Sequence, residues 1–331
     1  MDKVLKKAAF RGVEGPVLTI VMDGVGLAPA NEANAVAAAN TPTLDMLMAK
    51  YPMVKLKAHG TAVGLPSDDD MGNSEVGHNA LGCGQIYSQG AKLVEEAIES
   101  GDIFNSSAWQ ELKNNCVKNG SAMHFIGLLS DGNVHSNIGH LIALIKGAKR
   151  AGIKRVFAHV LLDGRDVPAT SALTYVDQLE SAMAELNDDN FHACIASGGG
   201  RMVITMDRYF ANWDMVKNGF YTHVYGEGRG FASATEAIET YRNENPGVID
   251  QDLPAFVIKK DGQPVGAMHD GDSVILFNFR GDRAIEISMA FDNADFSGFD
   301  RGNMPKVLYA GMLQYDGDLH LPARFLVEPP Q

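Results

Sequence analysis

Cysteine is scarce in this chain, and what there is forms no pattern. Cys83, Cys116 and Cys194 are odd in number, far apart and in no CxxC spacing, which excludes a disulfide framework and a zinc knuckle and suits a cytoplasmic, reducing compartment. Long apolar runs are missing too, and the opening MDKVLKKAAFRGVEG is charged, with no apolar core segment. Neither a signal peptide nor a membrane span is expected. Positive charge is in deficit: 28 Lys and Arg against 41 Asp and Glu give a net charge of −13. That balance argues against a nucleic-acid surface, since phosphate backbones attract basic faces, so any cluster of arginines must be local. Also lacking are a GxSxG elbow, a Walker A loop and a GxGxxG after a strand, the common signatures of nucleophilic and nucleotide-binding folds. What remains is 331 residues, 45% of them apolar, enough for two packed domains or one large one.

Five short apolar runs end in polar or glycine-rich loops: VLTIVM into Asp23-Gly24, HFIGLL into Ser130-Asp131-Gly132, RVFAHVLL into Asp163-Gly164-Arg165-Asp166, HACIA into Ser197 to Arg201, and SVILFNF into Arg280 to Arg283. A sixth, KVLYAGMLQY, is of the same type. Continuous apolar strands alternating with helical patterns predict an α/β fold, a three-layer α/β/α arrangement around a mostly parallel sheet. Ser136 is a candidate cap for a helix whose Ile138, Leu141, Ile142 and Ile145 share a face. Thr41-Pro42 opens another, and a third is expected from about Ala234 to Arg242. No low-complexity linker divides the chain, and the expected boundary follows Gly84, where glycines give way to KLVEEAIESG.

In open α/β sheets ligands bind beyond the carboxyl ends of the strands. That rule gathers Asp23, Asp131, His135, Asp163, Arg165, Asp166, Arg201, Arg280 and Arg283, with Arg208 a little further on in MDRY. Guanidinium forks match carboxylate and phosphate geometry, and a cluster of them in an acidic protein points to a small anionic ligand. Each arginine also has a simpler reading, as the ion-pair partner of a neighbouring Asp. His135 reads as structural or, beside arginines, as a general acid, a base or a phosphate ligand. Asp23 suits an Asx turn or a metal ligand. Ser74, in DDDMGNSEVGHNALGCG, reads as a helix N-cap or as an exposed nucleophile that needs a base or a metal to activate it.

MDGVG, LPSDDDMGNSEVGHNALG, LLSDGNVHSNIGHL, LLDGRDVPATSA, SGGGRMVITMDRY and FNFRGDRAIEI stand in an order and spacing that resembles the cofactor-independent (2,3-bisphosphoglycerate-independent) phosphoglycerate mutases of the alkaline phosphatase superfamily. The likeness runs from Val17 onward and is nearest in SGGGRMVITMDRY to the plant and trypanosomatid branch. The resemblance implies interconversion of 3-phosphoglycerate and 2-phosphoglycerate, in glycolysis and gluconeogenesis, with two Mn²⁺ ions or another divalent metal and no 2,3-bisphosphoglycerate. It implies Ser74 as the catalytic nucleophile that takes the phosphoryl group, and Asp23 and Ser74 as metal ligands. It implies His135, Arg165, Asp166, Arg201, Arg208, Arg280 and Arg283 as substrate-binding residues.

The same resemblance divides the chain into residues 1–88, an incomplete portion of the metal and serine domain; residues 89–325, an inserted phosphoglycerate-binding transferase domain; and residues 326–331, the start of a second linker. The C-terminal half of the phosphatase-like domain, with the remaining metal ligands, is expected to be absent, so that this chain is a truncated form, inactive alone. A phosphoglycerate-binding module without catalysis, and a subunit completed by a separate C-terminal half, are the alternatives. The expected partner is the small-molecule substrate, with no nucleic acid and no membrane. Relatives of this kind are monomeric, whereas here the first 88 residues, left without sheet neighbours, are expected to pack irregularly, to move, or to pair with another copy.

Overall fold

The computed structural model describes residues 9–329. It divides into two compact units, Met1–Leu56 and Lys57–Gln331. In the first unit the described elements are helices α1 (Ala35–Ala38) and α2 (Pro42–Lys50). Thr41 precedes α2 as expected, with Pro42 in the first turn, although the threonine side chain makes no capping bond. VLTIVM is not a strand: residues 17–22 carry no strand assignment, and Val17, Leu18 and Ile20 are exposed. An extended run gains ladder hydrogen bonds and buries its side chains only against a neighbouring strand, and among the described residues none pairs with it.

The second unit begins with a 3-10 turn at Gly60–Val63 and helices α3 (Ser74–Cys83), α4 (Ala91–Ser100), α5 (Asp102–Asn105) and α6 (Ser107–Asn119). Strands and helices then alternate: β1 (Met123–Leu129), α7 (Ile138–Arg150), β2 (Arg155–Leu162), α8 (Ala172–Leu186), β3 (His192–Gly200), α9 (Trp213–Tyr225), β4 (Arg229–Phe231), α10 (Ala234–Glu244), β5 (Phe256–Lys260), β6 (Gln263–Pro264), β7 (Ser273–Leu276), α11 (Ile285–Asp292) and β8 (Leu308–Gly311). The strands form one sheet in the order β4-β5-β3-β2-β1-β7-β8, with β6 beside β5. Pairing is parallel from β3 through β8 and again between β4 and β5, while β3 meets β5 and β5 meets β6 antiparallel.

Alternation along β1 builds two cores. Met123, Phe125 and Leu129 join the cluster formed with α4 to α8 and α10, whereas Ile126 joins that formed with α9 and α11. Because a strand's side chains alternate between faces, the sheet is covered on both sides in the three layers expected. Helix α7 is capped by Asn137, whose Oδ1 accepts from the Gly139 amide at 2.7 Å, and not by Ser136. The Ser136 hydroxyl is buried and donates instead to the Leu128 carbonyl at the end of β1. Helix α10 runs two residues beyond Arg242.

The glycines after HACIA belong to β3 rather than to a loop. A Cβ on Gly200 would stand 2.2 Å from the Gln251 carbonyl oxygen, so the run lets the segment before β5 pack directly on the strand. This places Arg201 at the strand's carboxyl end. No helix among the described residues is long and apolar enough to cross a membrane.

Candidate functional site

The parallel strands deliver the site residues to one edge of the sheet. The loop after β1 carries Asp131, Asn133 and His135; that after β2 carries Asp163, Arg165 and Asp166; Arg201 follows β3; and Arg280, Asp282 and Arg283 lie between β7 and α11. At the centre stands Asp282. Its Oδ1 is 3.1 Å from Arg280 Nε and 3.7 Å from His135 Nδ1, and its Oδ2 is 3.5 Å from Arg208 Nη1. The sequence reading missed this carboxylate, although it sits inside RGDR between two of the arginines that the reading singled out.

His135 is buried, and its pKa is held well below the usual imidazole range, first by burial and then by the charges of Arg201, Arg280, Arg283 and Arg208. It is therefore neutral at physiological pH. Arg283 donates to the Met206 carbonyl. Burial lowers its pKa, and the nearby charges of Arg208, Arg201 and Arg165 lower it further, against the attraction of Asp282. All five arginines of the sequence reading thus share one electrostatic environment. Arg165 is exposed, and its backbone amide is bound by Asp163.

Arg201, only 1% exposed, is engaged already: its Nη1 donates to Asp163 Oδ1 at 2.8 Å and to Asp166. For this arginine, pairing with neighbouring aspartates holds as well as membership of the cluster. Asp166 is raised by burial, an effect that the charge of Arg201 opposes. Among the described residues, His135 Nδ1, Arg201 Nε and Arg280 Nε are buried without a hydrogen bond, the contact of Arg280 with Asp282 being an ion pair that is not aligned as one. Buried polar groups without partners are costly and rare; the two arginine Nε donors, with His135 Nδ1 and the equally unpartnered Asp282 Oδ1 beside them, mark this edge as a place for a polar ligand.

Ser74 is the first residue of α3, and Asn73, not Ser74, is the N-cap: Asn73 Oδ1 accepts from the Val76 amide at 3.2 Å. The serine Oγ lies 3.2 Å from His78 Nδ1, and that nitrogen is 2.7 Å from the Ser74 carbonyl. A carbonyl only accepts, so Nδ1 carries the hydrogen and His78 in this tautomer is a donor to Ser74, not its base. The helix reaches the arginine cluster through the next residue. Glu75 is 3.8 Å from Arg280 Nε, its pKa raised by burial while Arg280 pulls it back. Asp70, in the loop before α3, accepts from Asn133 Nδ2 of the β1 loop.

Asp23 lies in the first unit, in a turn closed by the Val25 amide on the Met22 carbonyl at 3.2 Å, with Gly24 at a φ of +80°. Among the described residues no group of three or more His, Cys, Asp or Glu is placed to hold a metal ion. Asp23 and Ser74 by themselves supply fewer donors than a divalent ion takes. The described residues do not make up a complete metal site.

A family model, the BPG-independent PGAM N-terminus, matches residues 94–317. The chain belongs to this family. A probable 2,3-bisphosphoglycerate-independent phosphoglycerate mutase of Leptospira interrogans is 57% identical over 330 residues, covering 99% of this chain and 60% of that protein. The 2,3-bisphosphoglycerate-independent phosphoglycerate mutase of Trypanosoma brucei brucei is 50% identical over 317 residues, covering 95% and 58%. A crystal structure of Leishmania mexicana phosphoglycerate mutase at low cobalt concentration superposes with a TM-score of 0.89 at 49% identity, covering 94% of this chain and 57% of that one. The chain thus spans about 60% of the length of the curated relatives it matches.

Proposed function

We propose that this chain is the phosphoglycerate-binding part of a phosphoglycerate mutase that interconverts 3-phosphoglycerate and 2-phosphoglycerate through a phosphoserine on Ser74. The observation that carries the reading is the convergence of Arg201, Arg208, Arg280 and Arg283 on a buried, neutral His135, with Asp282 meeting His135, Arg208 and Arg280. A phosphoglycerate brings a phosphate and a carboxylate. Guanidinium forks pair with both, and their positive charge compensates the anion's desolvation. His135 offers one donor and one acceptor without adding charge, which suits a substrate hydroxyl or a phosphate oxygen. Asp166 and Arg165 flank the same edge.

Ser74 would take the phosphoryl group from one glycerate oxygen while that oxygen gains a proton, and would return it to the other oxygen. A phosphate on the first residue of α3 would face the positive end of the helix. In the complete enzyme two divalent ions, Mn²⁺ or a similar metal, would supply the charge that activates Ser74, and Asp23 and Ser74 would be among their ligands. The relative crystallised at low cobalt concentration supports a divalent metal. The functional division we propose places residues 1–88 with the serine and metal part and residues 89–325 with the substrate-binding part; the family match at 94–317 supports the second. A cytoplasmic setting fits the three free cysteines.

A second reading, a phosphoglycerate-binding module without turnover, is favoured by the shortage of metal-holding groups among the described residues. Calorimetric titration of 3-phosphoglycerate into the wild-type chain and into Arg280→Ala tests the binding that both readings share. A loss of about 2 kcal/mol is expected in the variant, as for a charge-assisted contact. Equal affinity in the two proteins would refute the site. Turnover with added Mn²⁺ that disappears in Ser74→Ala would then favour the mutase over the module.

A further inference from the structure

A continuous chain of buried polar side chains crosses the sheet. Asp272 Oδ2 is 3.1 Å from His124 Nε2; His124 Nδ1 is 3.0 Å from His159 Nε2; His159 Nδ1 is 2.7 Å from Ser197 Oγ; Ser197 Oγ is 2.9 Å from His223 Nδ1; and His223 Nε2 is 3.0 Å from Thr205 Oγ1. The chain runs from the residue before β7 through β1, β2 and β3 to α9, and every member is at most 3% exposed as a side chain or residue. Burial lowers the pKa of all three histidines, that of His223 to about 3, so each imidazole is neutral. Burial alone would raise Asp272, but the hydrogen bond from His124 and the amides of Ala122 and His269 keep its carboxyl below the usual range.

A neutral imidazole has one donor and one acceptor, and an ionised Asp272 only accepts, so the protons have a single consistent arrangement. Thr205 donates to His223, His223 to Ser197, Ser197 to His159, His159 to His124 and His124 to Asp272. His124 and His159 are then protonated on Nε2, and His223 on Nδ1. The far end of this chain is Thr205, held at a φ of +69°, which a β-branched residue seldom adopts. Its amide donates to the Met215 carbonyl at 3.0 Å, and its Oγ1 would meet a Cβ on Gly219 at 2.0 Å. The residue after it, Met206, is the one whose carbonyl receives Arg283, and Arg208 follows two residues later.

We propose that the chain from Asp272 through His124, His159, Ser197 and His223 to Thr205 is a positioning network that fixes the Met206–Arg208 segment and so sets the places of Arg283 and Arg208 in the anion site. Asp272 fixes the direction of every bond, and the Thr205 hydroxyl is the donor that ties the strained loop to His223 of α9 and, through Ser197, to the sheet. The link to anion affinity rests on the reading of the site as a phosphoglycerate cup; the network and its hold on the loop do not.

Nitrogen-15 spectroscopy of the histidine rings and amide hydrogen exchange of the loop, both on the full chain without ligand, test the proposal. The expected spectra show three neutral rings, Nε2-protonated at His124 and His159 and Nδ1-protonated at His223; an imidazolium or an opposite tautomer at any of them overturns it. Thr205→Val keeps the shape and removes only the hydroxyl. It is expected to speed exchange of the amides of residues 206–208 by about tenfold, the effect of losing roughly one buried hydrogen bond, and to weaken 3-phosphoglycerate binding in proportion. Thr205→Ser restores both. Should Thr205→Val not fold, Ser197→Ala interrupts the chain at its middle and is read in the same way. Wild-type exchange in a folded variant overturns the proposal. A wild-type chain that binds no 3-phosphoglycerate instead refutes the substrate reading, and the exchange and tautomer results still decide the network.

Discussion

Replacing Arg201 by methionine keeps most of its volume and strands Asp163. Both partners are 1% exposed and lie 2.8 Å apart, and breaking a buried pair from one side costs about 3–5 kcal/mol because a charge is left uncompensated. Asp163 would keep three other donors: the Ser130 hydroxyl at 2.6 Å and the backbone amides of Arg165 at 3.2 Å and Asp166 at 3.0 Å. Those bonds put the cost at the lower end of the range, about 3 kcal/mol. In Asp163→Asn the arginine retains Asp166, and a cost of about 2 kcal/mol is expected for a charge-assisted bond. If the two side chains stabilise each other, the double variant loses less than the sum, by about 2 kcal/mol. Urea unfolding of the four proteins at pH 7 measures this coupling from the transition midpoints. Additivity within about 0.5 kcal/mol would show that the pair is not coupled and would refute the picture of a charge-paired floor to the site.

Glu286 is buried beside Asp207, with one oxygen bound to the Phe210 amide and the other without a partner; burial raises its pKa to about 7. The folded state therefore holds a proton that the unfolded chain has released above the ordinary value of 4.5, and stability falls as pH rises from there through about 7, by roughly 3 kcal/mol. Glu286→Gln should flatten that slope in denaturation curves taken between pH 5 and pH 8; an unchanged slope would contradict the assignment. Gly219→Ala would push a Cβ to 2.0 Å from Thr205 Oγ1 and 2.7 Å from its amide nitrogen. It should destabilise the protein by about 3 kcal/mol, at the upper end for overpacking, and a melting temperature like that of the wild type would show that the loop gives way. Self-association through the exposed Val17, Leu18 and Ile20 is expected to appear as concentration-dependent sedimentation, and to vanish when the three are changed to serine.

The helical and strand periods carried much of this architecture. RVFAHVLL coincides with β2 residue for residue, and HFIGLL lies within β1, because both are mostly apolar, almost wholly buried strands that end at charged loops. SGGGR reads locally as a loop, and only the close approach of the Gln251 segment makes it the end of a strand. Strands β4, β5 and β6 have at most five residues and no sustained pattern, so neighbouring pairing defines them. VLTIVM shows the reverse failure, since its local preference for a strand finds no neighbour among the described residues.

At the site, the rule that ligands collect beyond strand ends gathered the arginines and His135, and the loops after β1, β2, β3 and β7 place them along one edge of the sheet. It did not show which aspartate each arginine meets. Asp282, Asp163 and Glu75 become partners through the registry of separate loops, and that is tertiary information. The buried histidines were equally hidden, because a polar residue inside an apolar strand gives no sign of what stands across the ladder.

Titration of 3-phosphoglycerate, and separately of glycerate, into the full chain most directly tests whether the arginine edge is a phosphoglycerate site. 3-Phosphoglycerate should bind at least about tenfold more tightly than glycerate, the effect of roughly one charge-assisted phosphate contact, and its affinity should fall with added salt as screening weakens the arginines. No binding of 3-phosphoglycerate, or equal affinity for the two, would contradict the assignment.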